Sequence, residues 1–380
     1  MRLPKSLELG KRLSKRVFSA KYEDQEVVVK LFTSDDLDGC AAQIKHVFDE
    51  CEVVDCEYQE TSVYDRVLYN IKIHYLIQKK LGMALTSEYY CIKRQDWVFD
   101  TILECFGDGL DRAQSGERES QVYEDVRASF VQLIHVFGVK YDGESQAFVS
   151  TGQPIGLIFP RLGDPLMNFT QNNKWVPNSM YLTSVFGDEK TVAGVFRAIV
   201  SSVSFLLNEL NIVHKDIKIE NICTEWSGLK SGKVNPVLID FGESQVLGNN
   251  KRLRDAYGTH AMLPPEAFAC SLSFYSNEQY SGYSAEKREI WSLGCLLHIL
   301  IFGYPPYFDI FSSKSPIEFQ LKLCDDKSEV EIPNYSSVIN IDISHDLRDL
   351  LSSMLNKAPD RRPNLENVRL NPWVMAEPST

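Results

Sequence analysis

The sequence predicts an α+β chain in two parts, strand-rich up to about Pro160 and helix-rich beyond it. Three observations carry this. The first thirty residues alternate between apolar and polar in the manner of short antiparallel strands. From Thr191 onward the apolar spacing becomes helical, with Val192 to Leu210 reading as a long amphipathic helix. Farther on, Arg288 to Phe302 is almost continuously apolar, as a helix buried on all sides would be.

Each element follows from its local pattern. Leu7 to Gly10, Val17 to Tyr22 and Glu26 to Phe32 read as strands joined by polar turns. An acidic stretch follows, and Glu60 to Leu81 then places Val63, Val67 and Ile71 at helical spacing. Residues from about Leu81 to Val126 carry Gly107-Asp108-Gly109 and Gln114-Ser115-Gly116-Glu117, the marks of a long irregular insertion. Phe130 to Lys140 and Pro154 to Pro160 read as strands again. Leu347 to Asn356 forms a further amphipathic helix, stopped by Pro359. No internal repeat is visible.

Composition narrows the functional classes. At 380 residues, 44% hydrophobic and 24% charged, the chain can bury a large core. No run approaches eighteen apolar residues, so no membrane span is expected, and Met1-Arg2-Leu3-Pro4-Lys5 lacks an apolar leader. Nine scattered cysteines without a Cys-x-x-Cys pair favour free thiols in a reducing compartment, cytoplasmic or nuclear. A net charge of −12 argues against nucleic acid and anionic lipid as partners. Much of the excess lies between Asp35 and Glu60, where nine acids face one base, Lys45. This stretch reads as a solvated insertion, with a basic partner as the alternative.

The chemistry concentrates in Ile212-Val213-His214-Lys215-Asp216-Ile217-Lys218-Ile219-Glu220-Asn221 and, nineteen residues beyond Asn221, in Asp240-Phe241-Gly242. Two aspartates, a lysine and an asparagine at the ends of short apolar strands could hold magnesium, a phosphoryl group and an attacking hydroxyl. The two stretches resemble the catalytic and metal-binding loops of the eukaryotic protein kinases. Downstream motifs in matching order extend the resemblance over nearly all of the second half. Gly258-Thr259 to Pro265-Glu266 is similar to the close of the activation segment, and Glu289-Ile290-Trp291-Ser292-Leu293-Gly294 to the start of the central helix. Gly303-Tyr304-Pro305-Pro306 and Pro359-Asp360-Arg361-Arg362-Pro363 complete the series, the last supplying an arginine to pair with Glu266.

The resemblance implies a bilobal fold, a small β-rich N-lobe at 1–160 and a larger helical C-lobe at 161–380, with insertions at about 33–59 and 81–128. It implies ATP and Mg2+ as cofactors and protein substrates as partners. Asp216 would accept the substrate proton, Lys218 would neutralise the moving phosphoryl group, and Asn221 and Asp240 would hold the metal. Lys218 with Thr259 resembles the serine/threonine branch. In the first part, Val27-Val28-Val29-Lys30 is similar to the strand whose lysine contacts the α- and β-phosphates. Leu9, Gly10 and Val17 would cover the nucleotide, and Glu60 would pair with Lys30. Asn70 is a competing alignment that would leave Lys30 without that acid.

Four departures stand out. Arg12 and Lys15 occupy the second and third glycine positions of the phosphate loop Gly10–Val17, which could forfeit amide contacts to phosphate. Lys215 replaces an arginine that in many kinases grips an activation-segment phosphate, so strict dependence on that phosphate is not expected. Glu289 stands in place of an aspartate. Phe159, beside Pro160 at the hinge, could guard the adenine pocket or be ordinary core. Three functions follow: an active serine/threonine kinase, a scaffold lacking turnover, and a small-molecule phosphotransferase.

Overall fold

A computed structural model describes residues 6–13, 16–32, 63–83, 124–137, 139–142, 147–150, 155–170, 186, 188–224, 235–276, 282–308, 316–325 and 329–376. The chain divides into two units. Met1–Glu124 with Val131–Arg161 forms one, and Asp125–Phe130 with Leu162–Thr380 the other.

Alternation of side chains builds the sheet of the first unit. In strand β3 (Gln25–Phe32), Val27, Val29 and Leu31 share one face and are buried with Leu7, Ala20, Phe137 and Ile158. Val28 and Lys30 take the other face. Strands β1 (Leu7–Arg12), β2 (Val17–Tyr22) and β3 pair antiparallel in sequence order. β3 then pairs with β7 (Ile155–Pro160), and β7 with β4 (His135–Phe137), giving the order β1-β2-β3-β7-β4. Gly156 gives the Phe137 ring its room: a Cβ there would come within 2.0 Å of it. A separate hairpin joins β5 (Val139–Asp142) to β6 (Ala147–Ser150). Helix α1 (Val63–Lys80) buries Val67, Asn70, Ile71, Ile73, His74, Leu76, Ile77 and Gln78, so its second half is covered on more than one face.

One expected strand is corrected here. Phe130 to Lys140 does not form a continuous strand, because a side chain captures its backbone. The Leu133 amide donates to Gln78 Oε1 at 3.1 Å, and Gln78 Nε2 donates to the Leu133 carbonyl at 3.4 Å. Only His135–Phe137 enters the sheet, with Val139–Asp142 in the hairpin. Phe130 instead makes a single parallel bridge to Leu238. The acidic stretch, Glu60, Lys15 and most of the expected long insertion lie outside the described residues.

The second unit is mostly helical. Its long helices are α2 (Glu189–Glu209), α3 (Pro265–Ser276), α4 (Ala285–Phe302), α5 (Pro316–Cys324) and α6 (His345–Met354). Asp188 caps α2 by accepting the Thr191 amide at 2.8 Å. By length and composition α2 could cross a membrane, but 61% of its apolar stretch is buried inside the protein, as in a core helix. α4 is buried on nearly every face, as its sequence requires. Ser284 caps its start, and Gly303 ends it at φ 83°, donating to the Ile299 carbonyl at 2.7 Å. Glu189 joins distant segments: it accepts from the Ser344 amide and hydroxyl, each at 2.7 Å, and from Trp373 Nε1 at 2.8 Å.

Candidate active site

Short strand pairs in the second unit hold two loops at both ends. β9 (Ile212–Val213) pairs with β12 (Gln245–Val246). β10 (Ile222–Thr224) pairs with β11 (Val237–Leu238) and β8 (Asp164–Pro165). Residues 214–221 run from β9 to β10, and residues 239–244 from β11 to β12. The Ile239 amide donates to the Asn221 carbonyl at 2.9 Å, joining the two loops side by side.

Asp216 is the hub. Its Oδ1 accepts from the Thr259 amide at 3.1 Å and the Thr259 hydroxyl at 2.7 Å. Its Oδ2 accepts from Lys218 Nζ at 2.7 Å and from Asn221 Nδ2 at 2.9 Å. Lys218 Nζ also lies 2.7 Å from Thr259 Oγ1. Burial pushes the Asp216 carboxyl up, but the Lys218 ammonium and the hydrogen bonds of Lys218 and Thr259 outweigh it and hold the group below its ordinary value. Asp216 is therefore an ionised acceptor at neutral pH. Asp216, Lys218 and Asn221 thus meet in one hydrogen-bonded cluster.

His214 orders this cluster from below. Its Nε2 donates to the Ile239 carbonyl at 3.2 Å, and its Nδ1 accepts the Asp216 amide at 3.3 Å. Burial lowers its pKa, which keeps the ring neutral and suits this single tautomer. The His214 ring packs on Phe241 at 5.2 Å, and Phe241 on Phe130 at 6.3 Å. Asp240 adopts the left-handed region at φ 60°, costing roughly 1–2 kcal/mol, and accepts the Gly242 amide at 3.2 Å.

Asn221 and Asp240 are chemically suited to a hard cation. Asn221 Nδ2 is engaged by both the carbonyl and carboxylate of Asp216, each at 2.9 Å, which leaves Oδ1 as the amide atom that could face a cation. One amide oxygen and one carboxylate fit Mg2+, which takes few protein ligands and completes its shell with water and phosphate. Among the described residues no cluster of three or more His, Cys, Asp or Glu side chains offers a fuller cage.

Lys215 precedes Asp216 in the left-handed region at φ 69°. Its side chain is 2% exposed, and Nζ lies 2.8 Å from Asp255 Oδ2, 3.3 Å from Gln245 Oε1 and 5.3 Å from the Tyr257 ring centroid. Burial lowers the ammonium's pKa, and Asp255 opposes that shift. The Lys215 amide donates to Glu289 Oε1 at 2.8 Å, so the longer glutamate still anchors this backbone. Burial pushes the Glu289 carboxyl up, against the Lys215 amide and Arg288. Glu266 and Arg362 make the expected pair, doubly bonded at 2.6 and 2.9 Å.

The remaining candidates belong to the first unit. Lys30 lies at the centre of the sheet, opposite Val17 and Leu157, with Nζ 5.7 Å from the Phe32 ring centroid. Leu9, Gly10 and Val17 lie on the β1–β2 hairpin. Its register slips between Leu9 and Arg12, and Leu13 closes the turn by donating to the Val17 carbonyl at 2.8 Å. A Cβ on Gly10 would meet Ser19 Oγ at 2.7 Å. Asn70 lies buried in mid-helix α1 with Oδ1 lacking a hydrogen-bond partner. His74, one turn on, packs its ring 5.1 Å from Phe159, which gives Phe159 a packing role.

Two residues that hold the Lys215 ammonium, Gln245 and Asp255, escaped the sequence reading.

A loop carrying Asp216, Lys218 and Asn221, an adjoining loop carrying Asp240, and a helical unit with the Glu266–Arg362 pair are the arrangement that the protein kinases share as a class. The protein kinase domain family matches residues 166–374, and the chain belongs to it. Relatives include the probable serine/threonine-protein kinase fhkD of Dictyostelium discoideum, 29% identical over 49% of this chain and 23% of its own length. The phosphorylase b kinase gamma catalytic chain (liver/testis isoform) of Bos taurus is 31% identical over 51% of this chain and 43% of its own length. Protein kinase kin1 of Schizosaccharomyces pombe is 32% identical over 49% of this chain and 18% of its own. Calcium-dependent protein kinase 22 of Arabidopsis thaliana is 25% identical over 86% of this chain and 59% of its own. The chain thus matches less than two thirds of the length of each.

Proposed function

We propose that this protein transfers the γ-phosphoryl group of Mg-ATP to serine and threonine hydroxyls of protein substrates. The observation that carries the reading is the Asp216 cluster, in which a depressed carboxylate is fixed by Lys218, Asn221 and Thr259. Asp216 would accept the hydroxyl proton, and its hydrogen bonds hold the carboxylate in one orientation. Lys218, shared between Asp216 and Thr259, would neutralise charge on the transferred group. Asn221 Oδ1 and the Asp240 carboxylate would hold Mg2+, which when bound offsets charge on the phosphates. Lys30 would contact the α- and β-phosphates, with Leu9, Gly10 and Val17 over the nucleotide. A reducing compartment, cytoplasmic or nuclear, fits the free thiols Cys223, Cys270, Cys295 and Cys324.

The test is magnesium-dependent transfer from labelled ATP to serine- or threonine-bearing protein, wild type against Asp216→Asn. The expected loss is at least about 100-fold. Equal incorporation by the two proteins would refute the role given to Asp216. A scaffold without turnover is the second reading, favoured by Asn70 with its unpartnered buried oxygen and by the glycine-poor hairpin. It predicts no transfer and no thermal stabilisation by ATP with or without Mg2+.

A further inference from the structure

Arg288 is fully buried, and no carboxylate pairs with it among the described residues. A buried guanidinium without an acid is costly in itself, and its Nε has no hydrogen-bond partner. Its other donors all go to one place. Nη2 donates to the Lys215 carbonyl at 2.7 Å and to the Tyr257 carbonyl, and Nη1 donates to Tyr283 Oη at 2.8 Å. Tyr283 Oη donates in turn to the Asp255 carbonyl at 2.6 Å, and the Asp255 carboxylate receives Lys215 Nζ at 2.8 Å. The contacts close on themselves: Lys215, Arg288, Tyr283, Asp255 and back to Lys215.

The ring spans three segments distant in sequence. Lys215 lies in the catalytic loop, Asp255 and Tyr257 in the stretch leading to Thr259, and Tyr283 and Arg288 at the start of α4. It grips the loop at its strained point, the left-handed Lys215 next to Asp216. It grips the other strand of the site two residues before Thr259, which bonds Asp216 directly. The fit leaves no slack. A Cβ on Gly258, at φ 118°, would meet the Lys215 carbonyl at 2.5 Å and Arg288 Nη2 at 2.8 Å.

We propose that Arg288 is a positioning residue for phosphoryl transfer, closing with Tyr283 and Asp255 a ring that seats Lys215, Asp216 and Thr259 without a phosphate on residues 241–259. The inference rests on the kinase reading, and it separates from that reading by its tests. Lys215 already has Asp255, Gln245 and Tyr257 around its ammonium, so an internal carboxylate supplies its counter-charge.

Tyr283→Phe removes one oxygen and two ring bonds while keeping the aromatic packing, so it is the first variant; Asp255→Asn is the second. Each is expected to lower kcat about 10-fold or more, as loss of hydrogen bonds to charged groups implies, with KM for ATP within about two-fold. Asp255→Glu is expected to restore part of kcat. Phosphatase-treated wild type is expected to keep its activity. Independently of turnover, amide exchange at 255–260 and tryptic cleavage after Arg252 and Arg254 should accelerate in both variants, without a comparable change in α2. Unchanged kcat in an active preparation, loss of activity on phosphatase treatment, or unchanged exchange and cleavage at 252–260 would each overturn the proposal. If wild type transfers no phosphate, the kinase reading fails, and the exchange and cleavage measurements still decide whether the ring holds this segment.

Discussion

Replacing Glu266 by glutamine would strand a guanidinium in the core of the second unit. The Arg362 side chain is 0% exposed, and all five of its N–H groups are used. Nε donates to the Asn356 carbonyl at 2.7 Å. Nη1 serves Glu266 Oε1 and the Lys287 carbonyl, and Nη2 serves Glu266 Oε2 and the Lys357 carbonyl. The plane also lies 4.8 Å from the Trp291 ring centroid. Glutamine keeps the shape but loses the charge, and its amide nitrogen meets one of the guanidinium donors head-on. Two charge-assisted bonds are affected, each worth roughly 1.5–3 kcal/mol. Breaking a buried pair by removing one partner costs roughly 3–5 kcal/mol, and the two figures meet near about 4 kcal/mol. Urea unfolding followed by far-ultraviolet circular dichroism measures it. With a slope of about 2–3 kcal/mol per molar, the midpoint of the second unit should fall by roughly 1.5 M. Arg362→Met, which keeps packing on Trp291, should cost a similar amount. The double variant Glu266→Leu with Arg362→Met should cost less than the sum of Glu266→Leu and Arg362→Met alone. A midpoint shift below about 0.3 M for Glu266→Gln, or strict additivity in the double variant, would refute the reasoning.

Two further predictions rest on single side chains. His298 donates from Nδ1 to the Tyr304 carbonyl at 2.7 Å inside α4, and burial lowers its pKa to about 4. The unfolded chain therefore binds the proton more readily. Stability is full above about pH 6.5 and declines by about 3 kcal/mol as pH falls toward 4, and His298→Asn should flatten that slope in equilibrium unfolding. Thr259→Val deletes the hydroxyl that bonds Asp216 and Lys218. It should lower kcat by about 10- to 100-fold, with Thr259→Ser restoring most of it; steady-state kinetics on a peptide substrate decides, and an unchanged kcat would remove Thr259 from the site.

What the sequence disclosed depended on how local the chemistry is. Asp216, Lys218 and Asn221 lie within six residues, so their types and spacing already imply a shared cluster, and Asp240 follows in the next loop. The buried run of α4 was equally open to local reading, whereas its cap Ser284 and the α2 cap Asp188 became visible only in the structure. Lys215 was recognised as a departure, but its partner Asp255 lies 40 residues away and nothing local pairs them. Arg288 was harder still, because its acceptors are backbone carbonyls and a tyrosine oxygen, which leave no charge pattern to find. The strand expected at Phe130–Lys140 failed for a related reason. Alternation cannot foresee that the distant amide of Gln78 takes both backbone groups of Leu133.

The carboxylate of Glu189 sets a timetable for synthesis. It opens α2 yet holds Ser344 and Trp373, while Arg197 Nη2 in the same helix reaches the Ala376 carbonyl at 2.8 Å. The ribosome makes these partners well after α2. At about 5–20 residues per second, roughly 10–40 s separate the emergence of α2 from that of residue 376. During that interval Phe196, which ends against Trp373, has its apolar ring uncovered. A nascent helix this apolar, waiting this long, is a natural client for chaperones, and slowing translation near its C-terminal partners should lengthen its exposure.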